Sequence, residues 1–380
     1  MLSQLKNYLA IINRNLRGWR TNRKIVVIES DDWGSIRMPS KEVYDICLKA
    51  GYRVDLNPYE RYDSLASKED LELLFDLLLS FKDVNGKHPV ITANCVVANP
   101  DFERIKASNY KQYHYELITE TFKHYPEHSK NFELWKKGHS LGVFHPQFHA
   151  REHLNVSKFL TAIQNSDPDV HFGFINKMPG CISKGTVNPS NLYVEATRFD
   201  SESDRKDKLD IYLDGLRLFN QLFGYESESI IPPNYTWDTS YNSVVQRLGV
   251  KYIQGQRKMR IPVPDSKSKY LSRVIGERDD NGLINLTRNI SVEPSLSNLS
   301  RDVNKVLHEI ELAFKFNKPA IISSHRINYI GYINVSNRDT NLKLLNQILD
   351  HALKKWPDIE FMTSDQLGNI IEKEHNDRYT

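Results

Sequence analysis

The sequence predicts an α/β protein built on a parallel sheet, and three observations carry that reading. Short β-rich apolar runs alternate with helix-like segments along the chain. No repeat or low-complexity stretch interrupts them, and polar residues able to do chemistry follow directly after several of the runs. Whether the sheet is open or closed into a barrel, its active site belongs at the carboxyl ends of the strands.

The first run is Lys24–Glu29 (KIVVIE), ending in Ser30, Asp31 and Asp32. Ser67 opens a capping-box pattern with Asp70 and leads into the helix LELLFDLLLSF. Pro89–Val97 reads as a buried strand, Lys111–Tyr125 and Asn131–Lys137 as helices, and Ser140–Phe144 as a short strand. Val156–Asn165, Asp204–Phe223 and Ser240–Leu248 have helical periodicity, and Val250–Ile253 reads as a strand. Arg301–Phe316 is a predicted helix, Ala320–Ser323 a strand, Asn337–Lys355 a long helix, Ile359–Met362 a strand and Ser364–Lys373 the closing helix.

Ahead of these, Leu2, Leu5, Leu9, Ile12, Leu16 and Trp19 recur at three- and four-residue steps with Lys6, Arg14, Arg17 and Arg20 between them. That pattern predicts a basic amphipathic helix over residues 1–22, which packs on the domain or contacts a membrane surface peripherally. Its longest apolar run, Tyr8–Ile12, is too short for a signal-peptide core or a membrane span. Residues 23–380 then form a single domain.

Composition narrows the class. Hydrophobic residues at 39% and charged residues at 26% describe a folded globular chain. Lysine plus arginine at 51 against aspartate plus glutamate at 48 is too balanced for a nucleic-acid partner. The three cysteines, Cys47, Cys95 and Cys181, are sparse and without metal-type spacing, which points to reduced thiols and a cytoplasmic setting.

The strand-end rule selects Asp31 and Asp32, the His145–His153 group, Pro232–Asp238 and His325. Adjacent carboxylates point in different directions, so one can bind a cation while the other stays free as a base. In His145-Pro-Gln-Phe-His149-Ala-Arg-Glu-His153 three histidines recur at steps of four. Two imidazoles four apart on a helical turn face the same way and can chelate one metal. With one aspartate they leave an open position for water. His325, after the run AIISS, sits where a general acid is needed. No cysteine has a nucleophile's context, and no phosphate-binding glycine loop occurs.

The order of these motifs resembles the polysaccharide deacetylase family (NodB-like, carbohydrate esterase family 4) from about residue 24 to 374. Ser30-Asp31-Asp32-Trp33-Gly34 matches the first motif, T-F-D-D-G. Gly138-His139-Ser140-Leu141-Gly142 and the histidine group stand where the second motif's metal-binding pair belongs. Either His145 with His149, or His149 with His153, supplies that pair. Ile231-Pro232-Pro233-Asn234-Tyr235 echoes the third motif without its arginine, and Arg151 is the candidate substitute. Ile322-Ser323-Ser324-His325 resembles the fifth, and FMTSDQLGNII the family's last strand and helix, while the fourth motif is not identifiable.

The resemblance implies a distorted (β/α) barrel with fewer than eight strands and with insertions between motifs. It implies Asp31 as catalytic base, Asp32 and two of His145, His149 and His153 as ligands to a divalent metal, and His325 as general acid. Zinc is the first choice of metal, with cobalt, nickel or manganese also suited. The reaction implied is removal of an acetyl group from an amino sugar or other acetylated saccharide in surface polysaccharide biosynthesis. The 19 Tyr, 16 Phe and 5 Trp suit that substrate, because apolar sugar faces stack on aromatic rings.

Overall fold

The computed structural model describes residues 13–180, 193–264, 268–297 and 302–377. Its thirteen strands are β1 Lys24–Trp33, β2 Ile91–Val96, β3 Ala98–Pro100, β4 Tyr115–Leu117, β5 Phe144–Ala150, β6 Ser229–Ile230, β7 Tyr252–Gly255, β8 Lys258–Ile261, β9 Lys269–Ser272, β10 Ile284–Thr287, β11 Ile290–Ser291, β12 Ala320–His325 and β13 Ile359–Phe361. Nine form one sheet in the order β10-β7-β6-β5-β2-β1-β12-β11, with β13 against β1, and all pairings are parallel. The sheet curls into an incomplete (β/α) barrel.

Hydrogen bonds across the lumen show the curl. Asn94 on β2 donates at 2.8 Å to Gln254 on β7, three strands away in the sheet. Arg288, just past β10 at one end of the sheet, donates to Asp31 on β1. Among the described residues β10 and β11 do not pair, so a seam stays open between them. The segment before β1 lies along it: Arg257 donates to the Asn13 carbonyl, Asn289 to Asn15, and Lys318 to the Gly18 and Trp19 carbonyls. Covering these edge strands removes a template for unwanted pairing.

The helix expected over residues 1–22 does not continue through residues 16–22. Residues 1–12 lie outside the described residues, and helix ends at Asn15. Gly18 then takes φ +96°, with the Ile275 carbonyl and the Val274 side chain where a Cβ would sit, and Trp19 is buried beneath the barrel with Ile275 and Ile371. Tertiary packing has overridden a helical period here.

Strand alternation sets the layers. On β1, Val26 and Ile28 face the outer helices in the main core, while Ile25 and Val27 face the lower lumen with Ile321, Ile284 and Leu367. Continuing on the lumen face, Glu29 and Asp31 replace aliphatics toward the carboxyl end. On β5 the outward set is Phe144 and Phe148, packed with Trp33, Trp135 and Phe219, and the lumen set is His145, Gln147 and His149. Each aliphatic buried in this way contributes about 1.5–3 kcal/mol, so the register of every strand is strongly fixed.

Local differences from the sequence reading have identifiable causes. The chain from Asn131 stays helical to Ser140 and β5 starts only at Phe144, so His145 and His149, expected after a strand, lie on one, and His153 follows it. Lys111–Tyr125 splits into β4, paired with β3, and the helix Ile118–His124. Ser240–Leu248 keeps only Asn242–Gln246 as α-helix. The short strand β10 and the helix Lys41–Lys49 are unanticipated. The long helices Glu202–Phe223 and Val335–Lys355 lie where expected. Among the described residues no helix is long and apolar enough to cross a membrane.

Candidate metal centre and active site

Asp31 and Asp32 reach the same cleft because β1 breaks its own alternation. Asp31 continues the lumen face, and Asp32 would ordinarily turn outward. The register against β2 shifts between Ser30 and Trp33, and Asp32 takes φ +73°. Aspartate tolerates this left-handed conformation better than most residues. Such an irregularity re-aims a side chain. Both carboxylates then line a cleft of about 630 Å³ at the carboxyl ends of the strands.

Asp32, His149 and His153 form a buried three-donor group. His149 Nε2 lies 3.5 Å and His153 Nε2 3.3 Å from the same oxygen, Asp32 Oδ1. A tetrahedral ion with ligands at 2.0–2.2 Å separates its donors by about 3.4 Å, so the spacing fits a zinc-like ion. His149 Nδ1 donates to the Ile231 carbonyl at 2.7 Å, which fixes the tautomer and leaves the Nε2 lone pair toward the centre. Burial pushes His153 down to about 3, more than Asp32 pulls it up, so its ring is neutral. Burial would raise the Asp32 carboxyl, but Arg37 and then the two histidines hold it well below the usual range.

His145 is not in this group. It shares the lumen face of β5 with His149 but stands four residues earlier, about 13 Å away along the strand. There its Nε2 lies 3.3 Å from Asp365 and 2.9 Å from Gln147, and its ring stacks with His139 and Tyr225. The four-residue step was read as a helical turn, and on a strand it separates the rings instead of pairing them. His153 comes back to His149 because the chain turns after Ala150.

Arg151 does not reach Asp31. It pairs with Glu152 at 2.6 and 2.7 Å and with Asp214 at 3.1 Å, over the Tyr115 ring. The register of β5 against β2 shifts at His149, so Arg151, just past the strand, falls on the outer side with Phe148, against Gly215 of the helix Glu202–Phe223. The cation at Asp31 is Arg288: its Nη1 and Nη2 donate to the two oxygens at 2.8 and 2.6 Å, and its Nε to Glu29 at 2.6 Å. Asn94 adds a third bond to Asp31, at 2.8 Å to Oδ1. Burial alone would raise the Asp31 carboxyl, but Arg288 outweighs it and the net direction is down.

His325 ends β12 beside Asp31, with Nε2 3.7 Å from Oδ2. Its Nδ1 meets Glu293 Oε1 at 2.7 Å, and Asn328 holds the other Glu293 oxygen at 2.7 Å. Burial disfavours an imidazolium, but Glu293, then Asp31 and Asp32, outweigh it and hold the group well above its ordinary value. A clamped carboxylate, three donors spaced as a metal ion needs and a histidine raised by its carboxylate neighbours therefore converge on one cleft. Arg288, Glu293, Asn94 and Arg37 escaped the sequence reading. Arg288 alone carried a usable signal, since it directly follows the strand INLT.

No family model and no curated protein matches the chain. Solved structures do. A "probable polysaccharide deacetylase from Pseudomonas aeruginosa PAO1" matches at 9% identity and TM-score 0.48, covering 93% of each chain. The chain is similar to polysaccharide deacetylases. The peptidoglycan deacetylase PdaC from Bacillus subtilis matches at 11% identity and TM-score 0.36 over 94% of this chain and 96% of that one. Puue allantoinase matches at 9% and 0.45, covering 92% and 91%. A 4-alpha-glucanotransferase from Thermococcus litoralis matches at 9% and 0.42, and there the chain spans 40% of the longer protein.

Proposed function

We propose that the protein is a metal-dependent hydrolase that removes an acetyl group from an amino sugar or a related acetylated saccharide. The observation that carries this reading is the shared use of Asp32 Oδ1 by His149 and His153, directly beside the Arg288-clamped Asp31. Three protein donors with an open side are the arrangement of catalytic metal sites. Asp32, His149 and His153 would hold a divalent ion, zinc first, which would supply Lewis acidity for the acyl carbonyl and lower the pKa of water.

The chain's own groups do the rest. Asp31, kept ionised by Arg288, accepts a proton from the attacking water. His325, kept protonated by Glu293, gives a proton to the departing nitrogen, so acetate and a free amine leave. Arg288 and Asn94 occupy the Asp31 carboxylate from one side and fix its orientation.

The cleft suits a saccharide. Tyr59, Tyr235, Leu56, Pro58 and Leu296 present apolar surface for sugar C–H faces, and Asn57, Asn234 and Arg260 present donors for hydroxyls. Assaying acetate release from N-acetylated saccharides beside ring opening of simple cyclic amides tests the reading. Turnover of the saccharides, abolished in Asp31→Asn, is the expected outcome. Turnover of cyclic amides alone would replace the substrate class, and no turnover of either by metal-loaded protein would remove the hydrolase.

A further inference from the structure

One cation at the metal centre has no part in the mechanism above. Arg37 follows the first motif in the loop after β1, and its Nη2 donates to Asp32 Oδ2 at 3.1 Å. The two histidines share the other oxygen, Oδ1. A carboxylate can offer both oxygens to one metal, and here one is already taken.

The guanidinium is held in place by a buried chain of charges. Its Nε lies 3.0 Å from Asp63 Oδ2, and Asp63 Oδ1 accepts from Arg326 Nε and Nη2 at 3.0 and 2.9 Å. The Asp63 and Arg326 side chains are fully buried, and Arg326 also donates to the Ser35 carbonyl at 2.7 Å. Tyr59 packs its ring 4.9 Å from the Arg37 guanidinium. Nothing in this chain serves the core alone: it runs from the barrel wall to a ligand oxygen.

We infer that Arg37 is a positioning residue that restricts Asp32 to one coordinating oxygen and so keeps a coordination position open for substrate and water. The inference rests on the metal-hydrolase reading. It carries two consequences of opposite sign. A fixed cation one carboxylate away repels a divalent ion, so Arg37 weakens metal binding. By reserving Oδ2 it prevents Asp32 from closing over the open position, so Arg37 raises turnover. A merely structural arginine would behave differently, because its loss would loosen the site and weaken both.

The test uses the full chain as wild type, Arg37→Met and Arg37→Lys, with Co²⁺ as the probe. Co²⁺ affinity is read by chelator competition, coordination by the visible absorption of the bound ion, and turnover by acetate release. For Arg37→Met we expect Co²⁺ to bind about tenfold tighter, with weaker visible absorption as coordination number rises. Turnover should fall roughly a hundredfold. Arg37→Lys keeps the charge, so its affinity should stay within about threefold of wild type, which also keeps the idea testable if the methionine variant folds poorly. Weaker Co²⁺ binding in Arg37→Met, binding more than about threefold weaker in Arg37→Lys, or an unchanged spectrum in Arg37→Met overturns the inference and leaves the metal site standing. A wild type that takes up no Co²⁺ overturns the metal reading itself.

Discussion

Replacing Arg288 by methionine removes the one cation shared by two buried carboxylates, and its size can be worked from the contacts. The arginine makes two bonds to Asp31 and one to Glu29, at 2.6–2.8 Å, and the three side chains are 1, 4 and 0% exposed. Breaking a buried pair from one side costs about 3–5 kcal/mol, because the partner is left charged and unsolvated. For 380 residues an unfolding entropy of about 2.1 cal/mol/K per residue gives roughly 0.8 kcal/mol/K, so Tm should fall by about 4–6 °C.

Activity should fall further than stability suggests. With Arg288 gone, burial is no longer outweighed and the Asp31 carboxyl moves up. With its carboxyl raised and no longer held in place, Asp31 loses much of the roughly 10²–10⁴-fold that a positioned base contributes. Acetate release at pH 7 should therefore drop at least about a hundredfold, with partial recovery as pH rises and Asp31 ionises. Metal content should not change, since Arg288 touches no ligand. A variant that keeps more than about a tenth of wild-type turnover at pH 7 would refute the assignment of Arg288 to Asp31, whatever its Tm.

Other outcomes follow from the same geometry. Arg151→Ala breaks the pair with Glu152 and should lower Tm by about 4–6 °C while kcat/KM stays within about threefold of wild type; a large loss of kcat at full metal content would restore Arg151 to the site. Glu293→Gln removes the chief group holding His325 protonated. A proton donor works only below its own pKa, so the alkaline limb of the rate profile, above the ordinary 6.5 in wild type, should move down. The variant should lose more activity at pH 8 than at pH 6, and an equal loss at both would count against His325 as the acid. Stability carries the same sign: the Glu293–His325 pair contributes below the unfolded histidine's pKa and is lost as pH climbs through the raised value. Adding a side chain at Gly368 drives a Cβ to 2.5 Å from the Tyr252 ring under the barrel. Gly368→Ala should therefore destabilise by about 1–3 kcal/mol without changing the kcat of folded protein, as read by thermal melts beside active-site titration.

Much of this site was legible because its parts stand at strand ends. Asp31, Asp32, His149 and His325 each follow or close a hydrophobic run, and a parallel sheet brings such positions to one rim. The resemblance added their roles. What failed was the local geometry between them. His145 looked like a ligand because a four-residue step pairs side chains on a helix, while on β5 the same step spans about 13 Å. Arg151 looked like the missing cation because it stands between His149 and His153 in sequence, but the register shift at His149 turns it to the outer side of the sheet. Arg288 is 257 residues from the carboxylate it clamps. Such pairings follow from barrel closure, which no local pattern records, and β10, the strand that delivers Arg288, is only four residues long. The left-handed Asp32 is likewise invisible in sequence, yet it brings two consecutive aspartates to one cleft.

The most direct test of the central claim is metal content by elemental analysis of purified protein, with Asp32→Ala, His149→Ala, His153→Ala and His145→Ala beside wild type. The account predicts about one equivalent of a divalent metal in wild type and in His145→Ala, and loss of it in the other three. Retention of metal by folded His149→Ala and His153→Ala, or a wild type that takes up no zinc, cobalt or nickel, would contradict it.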